Sequence, residues 1–255
     1  MSRTVNNEVI NPAKHFLSWK SDKKCFEYYD KEKINPETKE HGVNVEIKLP
    51  FKFLVLDTLS TIKGWSDADQ SGFWSNEVRD IKAEPFSVKT KKGECAKGLY
   101  ENIMAARDMT GARYCQSVYI MMKEGKEMIM ANIQIIGAAL GQWIEFRKKN
   151  KIFTGAVEVK TCIEGTKGKT VYNMPVFTKI DTLPETNEQA NKMDSELQEY
   201  LSGYFKNRKS VIETEVIDKV VRQEEEITLN SQINDVLAEG FPSTNSKDDG
   251  DDLAF

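Results

Sequence analysis

The residues of this chain that could do covalent or metal chemistry are two histidines, four scattered cysteines and a Gly-Lys-Thr triplet. Nucleophilic catalysis needs a base, usually a histidine, held against a serine, cysteine or threonine. His15 stands in a polar N-terminal arm and His41 in a turn beside Gly42, settings that predict solvated rings. Cys25, Cys95, Cys115 and Cys162 occur singly with no CxxC spacing, so neither a zinc site nor a disulfide framework is expected. "EGTKGKT" ends like a phosphate-binding loop at Gly168-Lys169-Thr170. That loop needs a glycine where Ile163 stands, and a strand-to-helix junction. A basic hairpin turn is the better reading. Asp67 and Asp69 in "SDAD" could share a cation, but a polar loop between strands explains them more simply. No catalytic constellation, metal set or cofactor motif follows, and an enzyme is the weaker hypothesis.

A different chemistry is better represented: cations interleaved with flat rings. "FLSWKSDKKCFEYYDKEK" sets Trp19, Phe26, Tyr28 and Tyr29 among Lys20, Lys23, Lys24, Lys31 and Lys33. Trp65, Phe73 and Trp74 follow, then Lys89, Lys91 and Lys92, then Arg147, Lys148 and Lys149, then Lys167 and Lys169. Single-stranded nucleic acid is held by this mixture, with rings stacking on unpaired bases for about 1–3 kcal/mol each. Phosphate contacts supply a salt-dependent remainder. Taken singly, Phe26, Trp65 and Trp143 suit a core better than a stacking platform. Tyr28 and Tyr29 are adjacent, so in a strand one of them faces outward.

The third feature is the C-terminus, "STNSKDDGDDLAF", where Asp248, Asp249, Asp251 and Asp252 precede Leu253, Ala254 and Phe255. The net charge of −4 hides an asymmetry: residues 1–180 carry +7 and residues 181–255 carry −11. A basic body with an acidic end points to a polyanionic partner. The aspartates suit competition for a basic groove, and Phe255 suits a pocket on a partner protein.

Elements must present these residues. In "VNVEIKL" (43–49) Val43, Val45, Ile47 and Leu49 alternate with polar residues, the period of a half-buried strand that continues into "FKFLVLD". Further strands are expected at 24–30, 61–65, 73–79, 113–122, 127–136, 156–163 and 170–178, with Gly-centred hairpin turns at 123–127 and 164–169. Helical spacing predicts helices near 95–107 and over 137–150. A stripe of Ala190, Met193, Leu197 and Leu201 predicts another from 185. Ser210 and Glu213 form a capping-box pattern for one more. From Gly240 the composition is that of a disordered tail. The expected organisation is a β body over 1–182, a helical segment over 183–239 and an acidic tail over 240–255. Roughly eight strands with a helix set midway make a closed or partly closed antiparallel barrel of the OB-fold type the leading architecture, within a mainly β (α+β) class. A signal peptide's apolar core and an apolar run of about 18 residues are both missing, so a cytoplasmic protein is expected.

This combination resembles the single-stranded DNA-binding proteins of replication, the T7-like bacteriophage type most closely in style. Those proteins join a basic, ring-bearing OB body to an acidic stretch closing in Phe. The resemblance rests on architecture and on "DDGDDLAF", which ends Leu-Ala-Phe rather than the Pro-Phe of bacterial members. It implies a non-enzymatic protein that coats single-stranded DNA in the host cytoplasm. Bases would stack on Trp19, Tyr28, Tyr29, Trp65 and Trp74, and phosphates would meet Lys20, Lys23, Lys24, Lys89, Lys91, Lys92, Arg147, Lys148 and Lys149. Asp248, Asp249, Asp251, Asp252, Leu253 and Phe255 would recruit a polymerase, helicase or primase, and the helices at 185–225 would either mediate self-association or pack on the barrel. The alternatives are an acidic-tailed adaptor that binds only protein, and a recombination nuclease using Asp57, Asp67 or Asp69.

Overall fold

The computed structural model describes residues 10–36, 38–106 and 109–208 of the 255. The capping box at 210 and the whole acidic tail lie outside the described residues. The fold is mainly β. Its first strands are β1 (His15–Lys20), β2 (Cys25–Ile34), β3 (His41–Ile47) and the 16-residue β4 (Phe51–Ser66). Next come β5 (Ser71–Ser75), β6 (Phe86–Thr90), β7 (Gly93–Gly98) and a short helix α1 (Tyr100–Met104). The long hairpin β8 (Ala112–Glu124) and β9 (Glu127–Ile136) leads into α2 (Gly137–Lys149), followed by the hairpin β10 (Ala156–Lys167) and β11 (Thr170–Ile180). A third helix, α3, starts at Pro184, where proline's fixed φ suits a first helical turn.

All eleven strands join one sheet in the order β3-β2-β1-β9-β8-β4-β5-β6-β7, with β10 branching from β4 and β11 pairing on β10. The β1–β9 pair is parallel and the others are antiparallel, so the sheet is mixed, which alternation of residue types cannot foretell. No described backbone pairing closes it into a barrel. It nevertheless curls. Five strand-to-strand steps separate β1 from β11. Even so, Trp19 Nε1 donates to Asn173 O at 2.8 Å, Asn173 N donates to Ser21 Oγ at 2.7 Å, and Asn173 Nδ2 donates to Ser21 O at 3.0 Å.

The cross-strand register fixes what each face does. On the inner face, Phe53, Val55, Val118, Ile120, Ile133, Leu17 and Phe26 pack around Trp143 and Phe146 of α2 and Phe177 of β11. The same face of β4 and β8 carries a second core at its other end, where Ile62, Ala112, Phe73, Phe86 and Val88 cover Ile103 of α1. Each fully buried Leu, Ile or Phe contributes about 1.5–3 kcal/mol, so both ends of β4 are held by packing. On the outer face, the body's compact unit extends to Leu201 and includes the first part of α3. There Ala190, Leu197 and Leu201 are buried, and Gln198 Nε2 donates to Asp57 Oδ2 at 3.0 Å. The expected stripe therefore packs against β4 over 184–201.

Several expectations need correction. The strand expected to run from 43–49 into "FKFLVLD" is two, β3 ending at Ile47 and β4 starting at Phe51; the one expected at 61–65 is the end of β4, and the one at 73–79 shortens to β5, with Val78 only bridging Ser60. Strands β1 and β6 were not anticipated. The helix expected near 95–107 forms only as the short α1, Tyr100–Met104, because its first residues belong to the strand β7. Gly93 and Gly98 take φ of 119° and 151°, which a helix interior does not allow, and the open edge of β6 needs a backbone partner. His15 is buried rather than solvated: its ring stacks on Tyr28 at 4.0 Å, with Nε2 2.9 Å from Glu124 Oε1. Both expected hairpins form, turning at Gly125 and Gly168 with φ of 60° and 61°.

Candidate nucleic-acid interface

The outer face of β4 changes character along its length. In "IKGWS" Ile62 and Gly64 point to the inner core, so Lys63 and Trp65 point outward. Directly opposite partners in a ladder share a face. Lys63 pairs with Arg113 of β8 on one side and Trp74 of β5 on the other, and Trp74 in turn pairs with Lys89 of β6. The result is one lateral row, Arg113–Lys63–Trp74–Lys89, drawn from four strands. Trp65 stands beside it opposite Gly72, and Gly72 and Trp74 are two apart in β5. Trp65 is 52% exposed and Trp74 41%, large values for indoles inside strands. Neither ring stacks on another among the described residues.

Lys63 and Lys89 of this row are available, and Arg113 Nη1 donates to the backbone Ala112 O at 2.8 Å. Among the described residues no carboxylate lies within ion-pair distance of Lys63, Lys89 or Arg113. Glu94 is opposite Lys89 but accepts from Ser87 Oγ instead. Beyond the row toward α3 the same face becomes buried and polar. There Glu77 accepts from Ser117 Oγ and, at 2.8 Å, from Tyr119 Oη, and burial raises its pKa. Asp57 next to it is held by Arg79 at 3.1 Å.

The other residues singled out from sequence divide sharply. Tyr28 lies in the core, 5% exposed, with its hydroxyl 3.1 Å from Glu124. Burial first, then that bond, pushes its pKa up to about 12. It offers no ring face to a base, because the inner position of the Leu17–Tyr28 pair belongs to the core. Tyr29 faces outward, 56% exposed, with its ring lying over Gly42. Trp19 is half-buried against Phe26 and tied through its indole N–H to Asn173. Of the rings assigned to the core, Phe26 and Trp143 are buried and Trp65 is not.

Lys23 meets Glu27 at 2.6 Å and Glu46 at 2.9 Å, and Lys20 meets Glu27 at 3.5 Å. The hydrogen bond from Lys23 is the main cause of the lowered pKa of Glu27, which is itself 6% exposed. These ammoniums already neutralise a buried carboxylate. Lys24 is exposed at the β1–β2 turn. Lys92 is paired with Asp69 at 2.7 Å, and Lys91 donates to Gln70 O at 3.2 Å. Arg147 donates to Gln116 Oε1 at 2.7 Å, Lys148 to Glu145 at 2.7 Å, and Lys149 is exposed at the end of α2.

Of the three carboxylates of the nuclease alternative, Asp57 is engaged by Arg79 and Gln198 and Asp69 by Lys92 and Thr90, while Asp67 is exposed in the β4–β5 turn. Among the described residues no group of three or more His, Cys, Asp or Glu gathers around a possible metal position. No described helix is long and apolar enough to cross a membrane. Sequence reasoning named Trp65, Trp74 and Lys89 but missed Lys63 and Arg113. The alternation of "IKGWS" could have found Lys63, whereas Arg113 joins the row only through the β4–β8 register. Compared with models of known protein families, with curated proteins and with solved structures, the chain matches none.

Proposed function

We propose that this chain is a single-stranded DNA-binding protein whose binding face is the Arg113–Lys63–Trp74–Lys89 row with Trp65 beside it. The observation that carries the reading is two exposed indoles set among cations that have no carboxylate partner. An exposed ring inside a strand costs the folded body apolar burial and has a use where a flat, unpaired base covers it. Duplex bases are already stacked on each other and leave no face for such a ring, so the arrangement favours single strands. The cations would neutralise phosphates on either side of Trp74 and make binding salt-sensitive.

The protein would coat exposed template during replication or recombination in the cytoplasm of a host cell, without catalysis. Its acidic terminus, residues 248–255, would compete weakly for the basic face and bring a polymerase, helicase or primase to the strand. The finer fold reading, an OB-type barrel, belongs to the same proposal. A sheet curled around α2 and tethered by Ser21 and Trp19 to Asn173 supports it. Titration with a deoxythymidine oligomer while following tryptophan fluorescence tests the proposal. Quenching that weakens steeply with salt is expected, and a chain that neither quenches nor binds at low salt would reject it.

A further inference from the structure

Three glycines surround Trp65, and only two of them are demanded by the fold. Gly64 has φ of 152°, and a Cβ there would meet Gly111 O at 2.2 Å. Gly111 has φ of 96°, and a Cβ there would meet Trp65 O at 2.2 Å. These two let β4 and the start of β8 approach backbone to backbone. Gly72 differs. Its φ lies outside the left-handed region, and a Cβ would find only Gly64 O at 3.6 Å, an ordinary contact. Glycine within a strand forfeits packing and carries an entropic cost, so the fold by itself has no use for it here.

What the missing side chain does leave is space. Gly72 is directly opposite Trp65 and two residues from Trp74 on the same exposed face. The two indoles are therefore diagonal neighbours, and such positions stand about 7–8 Å apart. Stacked bases rise about 3.4 Å per step, so a planar base held between two rings needs about twice that separation. The rings do not stack on one another, and of the two positions between them Gly72 is bare backbone while Lys63 holds the other. From this geometry we infer that Trp65 and Trp74 form a two-sided slot for one unpaired base, with Gly72 as its open floor. Lys63 and Lys89, the cross-strand partners of Trp74, flank the slot where the phosphates on either side of that base would run.

This inference rests on the proposed single-strand binding but can fail without it. The test compares Gly72→Val and Gly72→Ala with the unchanged full-length chain, using a deoxythymidine oligomer and an abasic oligomer of equal length. Thermal melting should show both variants folded, because the position accepts a Cβ. Gly72→Val should bind the thymidine oligomer about 5- to 150-fold more weakly, the loss of one stacked base, with Gly72→Ala intermediate. On the abasic oligomer the valine variant and the unchanged chain should be equal, since no base enters the slot. Unchanged affinity of Gly72→Val for the thymidine oligomer would overturn the slot while single-strand binding stands. An equal loss on both oligomers would overturn it too, by pointing to the backbone path instead. If the unchanged chain binds neither oligomer, the binding reading itself falls.

Discussion

Replacing Lys63, Lys89 and Arg113 together by glutamine tests the basic row through salt rather than through affinity alone. Each cation that meets a phosphate displaces condensed counterions, contributing about −0.7 to the slope of log K against log salt on a single strand. Three such contacts amount to about 2 units of slope. The side chains qualify because no described carboxylate competes for them, and because the register sets Lys63 between Arg113 and Trp74 with Lys89 beyond. Strands lie about 4.8 Å apart, so the row extends across about 14 Å from β8 to β6, enough to follow several phosphates. Over a fourfold rise in salt, 2 units of slope correspond to about a 16-fold change in affinity. Between about 50 and 200 mM salt the unchanged chain should therefore lose about an order of magnitude more affinity than the triple variant.

The assay is tryptophan quenching by a deoxythymidine oligomer at four salt concentrations. Trp74→Ala should give the complementary signature: weaker binding by about 1–3 kcal/mol at every salt, with the slope kept. Lys148→Gln is the control, because its ammonium is already held by Glu145 at 2.7 Å and lies outside the row. A triple variant with the unchanged slope would refute the reasoning, as would a control that alters the slope equally.

Removing residues 241–255 should tighten binding most at low salt, where competition by the aspartates is strongest; equal affinities of the two chains at all salts would reject competition for the groove. Gly111→Ala should cost more than about 1 kcal/mol in a urea melt, since the new Cβ meets Trp65 O and φ is 96°, and a neutral result would contradict the close β4–β8 approach. Glu124 accepts from Lys14 at 2.6 Å, lies 2.9 Å from His15 Nε2 and accepts from Tyr28 at 3.1 Å; the Lys14 bond leads in holding its pKa near about 2. A carboxylate depressed in this way stabilises the fold above its ordinary pKa of 4.5 and loses that contribution as pH falls toward about 2. Glu124→Gln should therefore destabilise at neutral pH, and the gap to the unchanged chain should close between pH 4.5 and about 2 in denaturant titrations.

The strands and turns with strong local signals were legible because their cause is local. Period-two alternation in "VNVEIKL" reports a half-buried strand wherever its partner comes from, and Gly125 and Gly168 supply the left-handed backbone their hairpins need. Helix α2 followed from its own spacing, and the stripe of α3 from its own periodicity. The segment 93–98 misled because its residue types suit a helix, while the open edge of β6 and two left-handed glycines made it a strand. Tyr28 and Tyr29 show the same division in miniature. Adjacency required that one face outward, but only the pairing of Tyr28 with Leu17 put its ring inside.

The candidate site is the clearest case. The sequence by itself determined that rings and cations are interleaved, that Lys63 and Trp65 share a face if 61–65 is a strand, and that the body is basic. Tertiary structure alone decided that Arg113, Lys63, Trp74 and Lys89 form one row, because each comes from a different strand and cross-strand register is a property of pairing, not of composition. It also decided which cations remain available. Lys20, Lys23 and Lys92 are equal to Lys63 and Lys89 in sequence, but folding brings Glu27, Glu46 and Asp69 against the first group and leaves the second facing outward. Charge is written in the chain, whereas its neutralisation depends on which carboxylates the fold brings within reach.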